Sequence, residues 1–308
     1  MNPFAALTFL QTILSSRYET RITTDDFVKG NVIKLSAPAT KEFWEIPVVF
    51  EDEHLLALNK PPRLLTSPDR YDPERPNLMK LLHRDVERGA PWSKQRDISY
   101  LSNAHRLDFE TSGVILLAKS KPVLVELANL FGSGKPVKTY VALVHGTPLK
   151  DKFNIDAKLG PHPTRPGIIR VDEKQGKTAR TLFEVRERFE FSSVIQCRPL
   201  TGRTHQIRVH LEKAGFPIVA DATYGGRPLL LSKLKSGYRL KEKRTERPLI
   251  ASTALHAEEL MIVHPVTGEE VRMRAEWPRD LSVAVKYLRR YSGGANTSTT
   301  FRTQPNSE

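Results

Sequence analysis

The sequence predicts an α+β protein built on a central, mainly antiparallel or mixed sheet flanked by helices, with a small N-terminal α/β module in front of it. Two observations carry this. From about residue 113 onward, short strand-like runs succeed one another across tight turns, whereas a doubly wound parallel sheet would alternate strand and helix regularly. Apolar residues at helical spacing are confined to a few short segments. The 308 residues are 39% hydrophobic and 27% charged, which makes the chain globular and large enough for one or two domains with a sizeable core.

The elements come in this order. Leu7, Leu10, Ile13 and Leu14 recur at helical spacing, residues 22–27 read as an N-capped turn, and residues 30–35 as a short strand. Residues 36–40, small and polar around Pro38, read as a linker that closes an N-terminal region of residues 1–43, with Trp44 as an anchor on the main domain. Residues 48–60 read as a strand, an acidic turn and a second strand, ended by Pro61 and Pro62. Residues 113–118 form a buried strand, and residues 122–131 a helix with Val123, Leu127 and Leu130 on one face. Strands are expected at 138–144, 178–187 and 193–200, then a helix at 203–213 that stops at Gly215. Residues 226–250 are an irregular basic insertion, read either as a solvated loop or as an RNA-contacting one. Short strands are expected at 254–257, 260–263 and 270–273, the last two joined by a turn at 264–268, and a final helix at 280–291. The main domain is thus 44–291, and the Gly-, Asn-, Ser- and Thr-rich residues 292–308 read as a disordered tail.

Charge narrows the function classes. The formal net charge is +13 and the isoelectric point about 9.8, which points to a polyanionic partner, nucleic acid first. A generically basic protein would look the same by charge alone. Cys197 is the single cysteine, so an intrachain disulfide and a multi-Cys zinc site are excluded, in keeping with a reducing compartment. No apolar run approaches the ~20 residues that span a bilayer. The apolar stretch Phe4–Leu10 lacks a preceding basic region and a convincing cleavage site. A cytoplasmic protein with no membrane partner is expected.

The segment of most chemical content is His105-Arg106-Leu107-Asp108-Phe109-Glu110-Thr111-Ser112-Gly113. A carboxylate beside a cation is favoured in its ionised form and can act as nucleophile or base. A kinase catalytic loop is excluded, because Leu107 splits the Arg from the Asp and neither D-F-G nor G-x-G-x-x-G is present. Taken alone, Arg106 and Asp108 could equally be a structural pair at a strand start. Gly132-Ser133-Gly134-Lys135 is not a phosphate loop, since Asn129 replaces its first Gly and Pro136 its Ser or Thr. His205 and His210 are five apart, unlike the i, i+4 pair of a zinc helix. His256 and His264 read as structural hydrogen-bonders.

Further segments stand in order along the chain: E-D-E-H-L-L-A-L-N-K-P-P at 51–62, Lys138-Thr139-Tyr140, Thr201-Gly202-Arg203-Thr204-His205-Gln206-Ile207-Arg208-Val209-His210-Leu211, Asp221-Ala222-Thr223-Tyr224-Gly225, and Leu255-His256-Ala257 with His264-Pro265. Together with the Asp108 segment they resemble the RluA-type family of RNA pseudouridine synthases, over roughly residues 48–278. The resemblance implies that family's catalytic fold and the isomerisation of uridine in structured RNA, ribosomal more than transfer RNA; oligomeric state is left open, with a monomer as the default expectation. It implies Asp108 as the catalytic residue, Arg208 as the cation against it, and Tyr140 as the active-site tyrosine that stacks on the uracil. Arg106 would enter the RNA stack beside the flipped nucleotide. His105, Lys138, Arg203, His205 and Gln206 would contact phosphates or support the cleft, with Ile207 on the substrate side, and Lys60 of the first block would lie near it. The N-terminal region resembles a shortened S4-like RNA-binding module, or is an extension packed on the main domain.

The reaction breaks the N1–C1′ bond of a uridine, rotates the base and rejoins it through C5. Nothing is oxidised and no group leaves, so neither cofactor nor metal is expected. The carboxylate attacks C1′ or takes a proton from C2′; the sequence does not separate the two. Two rival readings are a catalytically silent RNA-binding protein on the same scaffold and a hydrolase that releases the base. The second would need a further carboxylate acid, and the neighbour in sequence, Glu110, is expected to be exposed.

Overall fold

The computed structural model describes residues 31–69, 72–240 and 244–292. The expected helix over 7–14, the turn at 22–27 and the tail after 292 lie outside the described residues. The chain divides into two units after Asn31, and the second begins at Val32.

The first strands of that second unit are β1 (Val32–Ala37), β2 (Glu42–Glu51) and β3 (Leu55–Lys60). Residues 36–40 are not a linker. They are the tip of a hairpin in which β1 pairs antiparallel with β2, from Val32 opposite Pro47 to Ala37 opposite Glu42. Ile33, Leu35 and Ala37 alternate with more exposed neighbours and pack with Ile46 and Val48, so a period-2 apolar face binds this segment into the sheet. Residues 32–43, expected in the N-terminal region, therefore belong to the main body. Trp44 packs half-buried against the same cluster.

Helices α1 (Leu78–Glu87) and α2 (Pro91–Gln95) come next, then β4 (Ser102–Asn103) and β5 (Ser112–Ala118). Asn77 caps α1, its side chain accepting the Lys80 N–H at 2.9 Å. β5 is buried on both faces. Ile115 and Leu117 join the α1 cluster of Leu78, Leu81 and Leu82. Val114 and Leu116 join Val123 and Leu127 of α3 (Lys121–Gly132). That two-sided burial is why the run is continuously apolar, and each such side chain contributes about 1.5–3 kcal/mol.

Beyond α3 lie β6 (Val137–His145), β7 (Lys152–Pro161), β8 (Ile169–Val171), β9 (Lys177–Arg188), β10 (Ser192–Pro199), α4 (Gln206–Lys213), α5 (Leu231–Leu234), β11 (Leu255–Val263), β12 (Glu270–Arg274) and α6 (Arg279–Tyr291). The sheet runs β1-β2-β3-β5-β11-β6-β10-β9-β7-β8, with β12 beside β11 and β4 beside β5. Among the described residues the one parallel strand pair is β5 with β11, through Ser112–His256 and Gly113–Ala257. Ser112 Oγ lies 2.9 Å from His256 Nδ1 and staples this seam.

Three further expectations shift. The strands expected at 254–257 and 260–263 are one strand, β11, with a register irregularity between Ala257 and Glu259. Glu258 sits there buried, held by Arg186 and by the Trp277 Nε1–H at 2.8 Å; a satisfied carboxylate inside a strand reads as a gap in the sequence. The helix expected from 203 begins at Gln206. The basic insertion is pinned at its base: Leu229 and Ile250 are buried, and the Leu249 N–H donates to the Leu229 carbonyl at 2.8 Å.

Candidate active site

Asp108 stands in the turn that leads into β5. Next to it Leu107 is buried, its N–H donating to Thr66 Oγ1 at 3.2 Å while its carbonyl accepts the Thr66 hydroxyl at 3.0 Å. The Thr111 N–H donates to the Asp108 carbonyl at 3.2 Å. The carboxylate is 21% exposed, with Oδ2 3.7 Å from Arg208 Nη1 and Oδ1 4.0 Å from His205 Nε2.

Arg208 is in the first turn of α4, where Ile207 and Leu211 face the core and Val209 packs with Tyr224. Its closest anion is not Asp108. Nε and Nη2 donate to the two oxygens of buried Asp221 at 2.7 and 2.8 Å, and the guanidinium lies 4.8 Å over the Tyr224 ring. One edge of the planar fork is spent on Asp221, so only Nη1 remains for Asp108. Burial opposes the Arg208 charge, but the hydrogen bonds and charge of Asp221, with Asp108 behind, outweigh it and raise the pKa.

Tyr140 rises half-buried from β6. Burial, then the Asp108 charge, push its hydroxyl above the ordinary tyrosine value. It is a neutral phenol at working pH, fit to stack on a base and to hold a proton. Lys60, at the end of β3, is fully buried, and Nζ donates to the carbonyls of Pro61 at 2.9 Å and Leu64 at 2.7 Å. Burial pulls its pKa down to about 7, against the opposing charges of Asp108 and Glu110. Glu110 is half-buried, not exposed as expected.

All the residues expected to act line one cleft of about 580 Å³. Their parts differ. Arg106 and Arg203 are exposed at its lip, Arg203 Nε donating to the Thr178 carbonyl at 3.1 Å. Lys138 is half-buried, and burial lowers its pKa. Gln206 is saturated: Oε1 accepts from Thr201 Oγ1 at 2.7 Å and the Arg203 N–H at 3.0 Å, while Nε2 donates to the Arg180 carbonyl and Thr181 Oγ1. It supports the loop and has nothing left for substrate. Of the two parts open to His105, phosphate contact or cleft support, its bonding likewise fits the second: Nε2 accepts the Leu116 N–H at 3.0 Å and the ring stacks on Phe131 at 4.7 Å. Burial, with Lys138, pulls its pKa to about 3, so it is no cation for a phosphate. Ile207 is a core residue at the cleft wall.

Asp221 and Tyr224 hold Arg208 and His205 beside the cleft, and the sequence alone assigns them no role; their place in the D-A-T-Y-G motif is the one signal that marks them. Among the described residues no group of three or more His, Cys, Asp or Glu could hold a metal ion, and no helix is long and apolar enough to cross a membrane.

A carboxylate, a tethered guanidinium and a neutral phenol meet in one cleft that Arg106, Lys138 and Arg203 make basic, an arrangement suited to chemistry on a polyanion. Residues 54–213 match the family described as RNA pseudouridylate synthase. The chain is 33% identical over 264 residues to ribosomal large subunit pseudouridine synthase D of Xanthomonas campestris, covering 86% of this chain and 76% of that one. It is 33% identical over 244 residues to ribosomal large subunit pseudouridine synthase C of Escherichia coli, covering 79% and 70%. In fold it is similar to human RNA pseudouridylate synthase domain containing 4, with a TM-score of 0.58 and 22% identity over 79% of this chain and 92% of that one. The chain belongs to the RluA-type family of RNA pseudouridine synthases. It is an isomerase that forms pseudouridine in RNA.

Proposed function

We propose that Asp108 is the catalytic group, that it acts on a uridine flipped out of structured RNA, and that the RNA is ribosomal in preference to transfer RNA. The observation that supports this best is the carboxylate itself: it faces the cleft between Arg208 Nη1 and Tyr140, held by the pinned Leu107–Thr111 turn. Either attack at C1′ or proton removal at C2′ begins from that carboxylate. Arg208 stabilises its charge, Tyr140 stacks on the freed uracil, and the neutral Tyr140 hydroxyl acts as a relay after the base has turned, taking the C5 proton as it passes its own on through solvent toward N1, which gains one. A base inside RNA structure has to leave the stack to be reached, and the cleft volume falls within the range of about 300–1,000 Å³ of small-ligand pockets. Arg106 at the lip is planar and cationic, suited to filling the gap in the stack. The relatives named for the large ribosomal subunit favour ribosomal RNA. Isomerisation is redox-neutral and transfers nothing out of the site, so the reaction itself calls for neither cofactor nor metal.

The test is a pseudouridine map of total RNA from cells with and without this gene, complemented with wild type or Asp108→Asn. Stops in ribosomal RNA that vanish without the gene, return with wild type and stay absent with folded, RNA-binding Asp108→Asn are expected. Restoration by Asp108→Asn would overturn the role of Asp108, and stops confined to transfer RNA would overturn the substrate.

A further inference from the structure

Behind Asp108 runs a line of hydrogen bonds that this chemistry leaves unused. The Ile169 N–H, in β8, donates to Tyr224 Oη at 3.0 Å. Tyr224 Oη lies 2.8 Å from His205 Nδ1, and the two rings meet edge-on. With its oxygen already accepting from Ile169, the phenol can give its own proton to Nδ1, the acceptor in reach. Burial, aided by Arg208 and Arg106 and opposed by Asp108 and Asp221, pulls the His205 pKa below its ordinary value, so the ring is neutral at neutral pH. A neutral imidazole that accepts at Nδ1 carries its proton on Nε2, and Nε2 is the atom 4.0 Å from Asp108 Oδ1.

The backbone points the same way. His205 has φ +54°, in the left-handed region, immediately before α4. A non-glycine residue held there is strained and persists where surrounding structure demands it. Here the strained turn aims the ring at the carboxylate.

We infer that His205 is a positioning residue for Asp108: a neutral donor whose Nε2–H engages Oδ1 while Arg208 Nη1 holds Oδ2, with Tyr224 locking the tautomer. The two donors fix the plane of the carboxylate toward the ribose. Contacts of this kind commonly tighten once substrate is seated. The inference rests on Asp108 being the catalytic group.

Single-turnover rates, RNA affinity and thermal melting of the full chain are compared for wild type, His205→Ala, His205→Gln, Tyr224→Phe and Asp108→Asn, alongside long-range ¹⁵N–¹H imidazole spectra. In wild type the His205 ring should be the Nε2–H tautomer, mixing with the other in Tyr224→Phe. The turnover rate should fall about 100-fold in His205→Ala and about 10-fold in Tyr224→Phe, with RNA Kd within about 2-fold. His205→Gln, whose amide N–H reaches the Nε2 position, should recover part of the rate, and it carries the test if His205→Ala melts early. A wild-type Nδ1–H tautomer, or full turnover in His205→Ala, overturns the role of His205. Turnover in Asp108→Asn overturns instead the reading on which it rests.

Discussion

A single guanidinium between two carboxylates sets the electrostatics around Asp108. Arg208 is bound bidentately to Asp221 and gives its remaining nitrogen to Asp108. Arg208→Lys keeps the charge and loses the fork, because an ammonium cannot meet both oxygens of Asp221 and reach Asp108 as well. Turnover should fall at least about 100-fold, and thermal and denaturant unfolding should show a loss of roughly 2 kcal/mol from the under-bonded buried Asp221. Near-normal turnover would remove the tether from the account. At this scale the sequence marks residues that the fold gathers into one cleft, but not the contacts they make there. Asp108, Tyr140 and Arg208 stand in motifs and line one cleft. The bond from Arg208 to Asp221 is hidden, because nothing in a separation of 13 residues encodes it. For Gln206 and His105 the sequence leaves phosphate contact and cleft support open, because their partners, the Arg180 carbonyl and the Leu116 N–H, come from strands that only the fold brings near.

Among the elements, β5 is the most constrained. Gly113 has φ +114°, and a Cβ there would stand 2.2 Å from the Ala257 carbonyl oxygen in β11. A side chain is excluded both by backbone conformation and by the neighbouring strand. Gly113→Ala should cost about 3 kcal/mol or more, read as a large drop in Tm with loss of turnover; an unchanged Tm would mean that the strands do not pair this closely. Strands with a plain apolar signal, β5, β6, β9 and β10, are legible in the sequence. The β1–β2 hairpin is not, because Pro38 and its small neighbours have the composition of a linker. In β11 the buried Glu258 breaks the pattern. Helix α1 carries a cap at Asn77 and apolar spacing at Leu78, Leu81 and Leu82, but it lies outside every chemical motif and so goes unmarked by them.

On the scale of the whole molecule, buried histidines tie the fold to pH. His210 and His256 are fully buried, and burial first of all pulls each pKa to about 4. Both are depressed below the unfolded value of about 6.5, so between about pH 4 and 6.5 the unfolded chain binds more protons than the folded one. Stability is then fully present above about pH 6.5 and is lost as pH falls toward about 4. At about pH 5 unfolding should take up close to two protons from this pair; Tm measured against pH checks it, and double replacement by Gln should flatten that limb of the curve. The seam between β5 and β11 has a consequence in time as well as in space. The hairpins on either side, β1–β2 and β9–β10, close short loops, while Ser112 and His256 meet across 144 residues. Closure over so long a loop comes late. The wall that carries Asp108 lies before that seam, and the walls that carry Tyr140 and Arg208 lie beyond it. As the chain emerges during synthesis, both halves of the sheet can form their hairpins before β11 exists to join them. The cleft can therefore be complete only once β11 has been made and joined to β5 and β6.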